Sequence, residues 1–70
     1  MDQERFQRSV SLKDSGNYEE ALREMEELAR VETDEQYTGA LLLGQAKCLM
    51  GLGRLKEARQ RLTESSRLWF

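Results

Sequence analysis

Four stretches of the chain carry apolar residues at helical spacing, separated by short polar or glycine-bearing runs. The clearest is Tyr18, Ala21, Leu22, Met25, Leu28 and Ala29, which recur at i, i+3, i+4 and i+7 down one face. Asn17 stands where an N-cap belongs, and Glu20 three residues on completes a capping-box pattern. An earlier helix is expected from about Gln3 to Asp14, with Asp2 as N-cap and Phe6, Val10 and Leu12 as its larger apolar residues. Ser15-Gly16 should close it, because glycine accepts the left-handed conformation at a helix end. After the polar joint Glu32-Thr33-Asp34-Glu35, where Thr33 and Gln36 resemble a second capping box, a third helix carries Tyr37, Ala40, Leu41, Leu42, Leu43, Ala46, Leu49 and Met50. A helix apolar over so much of its circumference wants neighbours on more than one side. Gly39, Ala40, Gly44 and Ala46 would let one approach closely, although Gly44 costs about 1 kcal/mol of helix propensity relative to alanine. Gly51-Leu52-Gly53 supplies the next turn. A fourth helix follows, with Leu55, Ala58, Leu62, Ser65, Ser66 and Trp69 as its expected inner face and Arg54 a poor cap at its start. The fold class is all-α: two antiparallel helical hairpins.

The two hairpins are versions of one unit. A shift of 37 residues lays Gly16 over Gly53, Tyr18 over Leu55, Glu20 over Glu57 and Ala21 over Ala58. The same shift brings Met25 onto Leu62, Leu12 onto Leu49, Val31 onto Leu68 and Ser9 onto Ala46. Each unit thus has a glycine turn, a bulky residue wedged behind it and a small residue where two helices touch. Tyr18 and Leu55 are expected to fill equivalent wedges.

Composition supports helices that bury one face and solvate the other: 34% of the 70 residues are charged, 39% are apolar and proline is absent. A core of this size is marginal without a staple, and the single Cys48 allows no intrachain disulfide. Charge is unevenly spread. Residues 1–36 hold eleven acids against five bases, while residues 37–70 hold six bases against two acids, so net −6 faces +4. Two solvated faces account for this, and so would attraction between neighbouring copies.

At the turns, Gly16-Asn17-Tyr18-Glu19-Glu20-Ala21-Leu22 and Gly53-Arg54-Leu55-Lys56-Glu57-Ala58-Arg59 resemble the tetratricopeptide repeat signature. The resemblance implies two units, about 3–32 and 34–70, forming a fragment of a right-handed solenoid. It departs from the family at Arg5 and Arg8, which stand at usually apolar positions, and at Thr33, near the place of a frequent proline. It further implies that the first helix of each unit lines a groove that binds a protein or peptide. Gln3, Phe6, Val10 and Lys13 would then stand beside Ala40, Leu43, Lys47 and Met50, with Phe6, Val10, Lys13, Leu43, Lys47 and Met50 as the partner-binding set. Packing of Phe6, Val10 and Leu43 against one another or against another copy is the competing reading. Family members that grip a C-terminal carboxylate use groove asparagines, which neither groove helix here has.

Catalysis is not expected. With no histidine, Cys48 has no evident activating base and reads as a buried, inert thiol. The carboxylates of the second helix read as a solvated face, and nothing suggests a metal or cofactor. The basic fourth helix is interrupted by Glu57 and Glu64 and lacks interleaved aromatics, which argues against nucleic acid. No apolar run approaches the roughly 18 residues a spanning helix needs, so the expectation is a cytoplasmic protein without membrane contact. Arrays of such units usually need about three to bury their cores, yet this chain stops on Arg67-Leu68-Trp69-Phe70. It could be a piece of a longer array, a homo-oligomer or a docking module. Self-association through Leu68, Trp69 and Phe70 is the favoured expectation, including a domain-exchanged form in which the second and third helices fuse.

Overall fold

A computed structural model describes residues 1–69, with Trp69 represented by its backbone only. Its four helices are α1 (Gln3–Asp14), α2 (Tyr18–Val31), α3 (Glu35–Gly51) and α4 (Leu55–Trp69), and no strand occurs among the described residues. Consecutive helices pack on one another, α1 on α2, α2 on α3 and α3 on α4.

The repeat seen in the sequence is present in the backbone bond by bond. At the first turn the amides of Ser15, Gly16 and Asn17 donate to the carbonyls of Ser11, Lys13 and Leu12 at 3.0, 3.0 and 2.8 Å. At the second, Leu52, Gly53 and Arg54 donate to Cys48, Met50 and Leu49 at 3.0, 3.0 and 2.9 Å, each pair displaced by the same shift. Gly16 and Gly53 take φ of +88° and +78°, the left-handed conformation that closes a helix without steric cost to glycine.

Two caps differ from expectation. Asn17 makes no side-chain cap; its amide nitrogen donates instead to Ser15 Oγ at 2.9 Å. At the joint, Asp34 and not Thr33 caps α3, its Oδ1 accepting from Gln36 N at 2.8 Å and from Tyr37 N at 3.4 Å. The Glu32 carboxylate accepts from the Thr33 and Asp34 amides at 3.2 and 3.1 Å and holds Glu32 extended, so α2 and α3 are separate helices in this chain. Asp2 caps α1 as expected, accepting from Arg5 N at 3.1 Å.

The core is Ala21, Leu22, Met25 and Leu28 from α2, Leu41, Ala46, Cys48 and Leu49 from α3, and Ala58 from α4. Ser9 and its equivalent Ala46 are both fully buried. The Ser9 hydroxyl is satisfied by the Phe6 carbonyl at 2.6 Å. Polar ties run between the helices of each unit. Arg5 Nε donates to Glu24 at 3.0 Å in the first, while in the second Arg61 Nε donates to Gln45 at 2.9 Å and Ser65 Oγ donates to the Gly39 carbonyl at 2.9 Å.

The units interlock through glycine notches on α3. A methyl group at Gly51 would stand 2.5–2.6 Å from the Tyr18 ring, and one at Gly44 would stand 2.6 Å from Met25 Sδ. Both α2 side chains lie against bare backbone, and the pairings fix an antiparallel register. Here the expected equivalence of the two wedges fails. Tyr18 is half-buried and packed on the core, whereas Leu55 is 65% exposed. Leu62 and Ser66 are exposed as well, so among the described side chains of the expected inner face of α4 only Ala58 and Ser65 are buried. Tyr18 is covered by the next helix of the array; among the described residues nothing covers Leu55.

Candidate partner-binding groove

Phe6, Val10 and Lys13 fall on one face of α1 at i, i+4 and i+7, and Ala40, Leu43, Gly44 and Lys47 do the same on α3. The two faces meet around a concavity of about 200 Å³, lined by these seven residues and by Met25 from α2. Met25 is 1% exposed and forms its floor, with its thioether seated in the Gly44 notch. Phe6, Val10 and Leu43 are only half-buried, leaving apolar surface open to solvent.

Of the six residues expected to form the partner-binding set, Phe6, Val10, Lys13, Leu43 and Lys47 are brought together here. Met50 is not: its side chain is 46% exposed and lies outside the lining set, as does the exposed Gln3. Met25 and Gly44 were not singled out as site residues by the sequence. A flexible methionine opposite a mid-helix glycine was the signal that could have found them.

The two lysines give the concavity its charge. Lys13 Nζ stands 3.5 Å from Asp14 Oδ1, and Lys47 has no ion pair among the described residues. Cys48, on α3 next to Lys47, is fully buried; desolvation pushes its thiol pKa up more than the nearby Lys13 charge draws it down. A thiol held neutral in this way is a poor nucleophile. No cluster of three metal-capable side chains occurs among the described residues, and no described helix is long and apolar enough to cross a membrane.

Of the expected self-association residues, Leu68 is half-buried and lines a shallow depression with Gln36, Tyr37 and Ala40. The Trp69 side chain and Phe70 lie outside the described residues.

A concave surface lined by the first helix of each of two like hairpins, apolar at its base and cationic at its rim, is suited to holding a segment of polypeptide. A protein-family model described as a tetratricopeptide repeat matches residues 12–67. No curated protein and no solved structure gave a significant match.

Proposed function

The chain belongs to the tetratricopeptide repeat family, and from that premise we propose that it is a non-catalytic protein–protein interaction module whose α1–α3 concavity holds a segment of a partner polypeptide. The observation that carries this reading is the meeting of Phe6, Val10 and Leu43, half-exposed, over the Met25 floor and beside Lys13 and Lys47. Apolar side chains left open at the base of a concavity offer an anchor pocket, and two ammonium groups at its rim favour a carboxylate next to the anchor. The partner segment therefore carries one or two large apolar residues flanked by Asp or Glu.

Selecting peptides from a random library on the immobilised chain tests this. Binders should share that apolar–acidic pattern. Leu43→Glu should weaken them by about thirtyfold or more, the effect of losing a hot-spot residue, with the far-UV circular dichroism unchanged. Lys13→Ala with Lys47→Ala should weaken them less and flatten the salt dependence. Binders indifferent to Leu43→Glu would overturn the assignment.

Self-association through the end of α4 is the second reading, favoured by the depression that Leu68 shares with the exposed Tyr37. Light scattering across a dilution series checks it: Leu68→Glu should shift any assembly to monomer, and a monomer at all concentrations would exclude it.

A further inference from the structure

The internal repeat states what α4 lacks. In α2, the side facing α3 carries Tyr18, Leu22, Met25 and Ala29, of which Leu22 and Met25 are buried and the other two partly so. The 37-residue shift maps these four onto Leu55, Arg59, Leu62 and Ser66, and all four are exposed. Leu55 is 65% and Leu62 37% exposed, with Arg59 between them on the same face. Arg59 has no carboxylate partner among the described residues, whereas Arg54 is paired with Glu57 at 2.8 Å and Arg61 is bonded to Gln45.

What covers the equivalent face of α2 is visible: an antiparallel helix with small residues seven apart, Gly44 receiving Met25 and Gly51 receiving Tyr18. That register brings Leu22 level with Lys47 and Cys48. A helix seated on α4 in the same way would set its notches against Leu62 and Leu55 and bring the residue equivalent to Cys48 level with Arg59. An arginine where α2 has leucine cannot be covered by an apolar side chain without losing hydration, so the covering helix must bring a carboxylate there. Nor does α1 supply such a helix in a head-to-tail second copy. Its positions equivalent to Leu41, Gly44, Cys48 and Gly51 are Glu4, Gln7, Ser11 and Asp14, all exposed and polar, the longer ones filling the places where notches are needed.

We infer that the Leu55–Arg59–Leu62 face of α4 is a second docking surface, distinct from the α1–α3 concavity, for an antiparallel amphipathic helix of a partner polypeptide with small residues seven apart and an acidic residue between them.

The probe is a helical peptide copying residues 35–51 on its Gly44/Gly51 face, with glutamate at the Cys48 position and its remaining surface made polar. Titrated into the full chain and followed by calorimetry, it should bind. Leu55→Glu and Leu62→Glu should each abolish binding, and both sites are exposed enough to leave the fold intact. Arg59→Glu should weaken the glutamate peptide at least tenfold, and a peptide with lysine at that position should restore binding to the Arg59→Glu chain. Leu43→Glu should change nothing, which separates this surface from the concavity and lets either assignment fail alone. Absence of binding at millimolar peptide, or binding blind to the Arg59 charge reversal, would overturn the inference. So would a dimer of the chain that Leu55→Glu dissociates, because a second copy would then be the occupant.

Discussion

The contact between units can be broken with one methyl group. Gly51 has no positive φ, so its backbone accepts alanine, and the three atoms nearest the added methyl all belong to the Tyr18 ring. It would stand 2.5–2.6 Å from three ring carbons, about 1 Å inside the 3.5–4.0 Å at which carbon atoms rest. A ring cannot fold away as a methionine end can, so the helices must part. Overpacking of this kind costs about 1–3 kcal/mol, and helix propensity returns at most about 1 kcal/mol. The net loss should be about 1–2 kcal/mol, or about 4–16 °C in Tm for a domain of this size. Tyr18→Ala alone should cost on the order of 2 kcal/mol, since the ring is half-buried. In the Tyr18→Ala background, Gly51→Ala should become neutral or stabilising, giving a coupling of about 1–3 kcal/mol in a double-mutant cycle. Urea unfolding of the four proteins, followed by circular dichroism, measures it. Additivity within about 0.5 kcal/mol would show that Tyr18 does not lie on Gly51, and the stacking of the units as described would be refuted.

Other substitutions probe the remaining joints. Gly44→Ala meets the flexible end of Met25 and gains helix propensity, so its stability should stay within about 1 kcal/mol of the parent by the same unfolding assay. Gly16→Ala and Gly53→Ala should each cost about 1–2 kcal/mol, and by similar amounts, because both force alanine to positive φ with no new contact; markedly unequal losses would contradict the matched turns. Asp34→Ala should cost about 1 kcal/mol and Asn17→Ala much less, since only the former removes a capping bond. Burial raises the Cys48 pKa, so the folded thiol stays neutral where the unfolded one ionises. Its contribution is therefore complete below the ordinary thiol pKa and declines as pH climbs from about 8.5 towards the raised value. Labelling with a disulfide reagent should be slow in the folded protein and complete in urea, and rapid labelling without denaturant would place Cys48 at the surface.

Periodicity and turn chemistry made the helices legible. Asp2, the Gly16 and Gly53 turns and the apolar stripe of α2 all depend on residues within a turn or two of one another, and local pattern reports such interactions well. The caps at Asn17 and Thr33 differ from expectation because each joint holds several polar side chains, and spacing along the chain does not say which of them bonds to which group. The Asn17 side-chain nitrogen donates to Ser15 Oγ, Glu32 takes the Thr33 and Asp34 backbone amides, and the Asp34 carboxylate meets the first turn of α3. The face of α4 was misread for a different reason. Leu55, Leu62 and Ser66 repeat with helical spacing whether or not a neighbour covers them, and periodicity identifies a stripe without saying what lies over it. In the concavity, Phe6, Val10, Leu43 and the lysines followed from equivalence between the units. Met25 did not, because it reaches the site from a third helix through a gap that only the bare Gly44 backbone creates.

The most direct measurement is a residue-resolved map of where a bound segment lies. An isotope-labelled chain titrated with an apolar–acidic peptide selected on it should show amide shifts concentrated at Phe6, Val10, Ala40, Leu43, Gly44 and Lys47, with the Met25 methyl signal moving in step. Shifts gathered instead along Leu55–Ser66, or spread evenly over all four helices, would contradict the claim that the cleft between α1 and α3 is where this protein holds its partner.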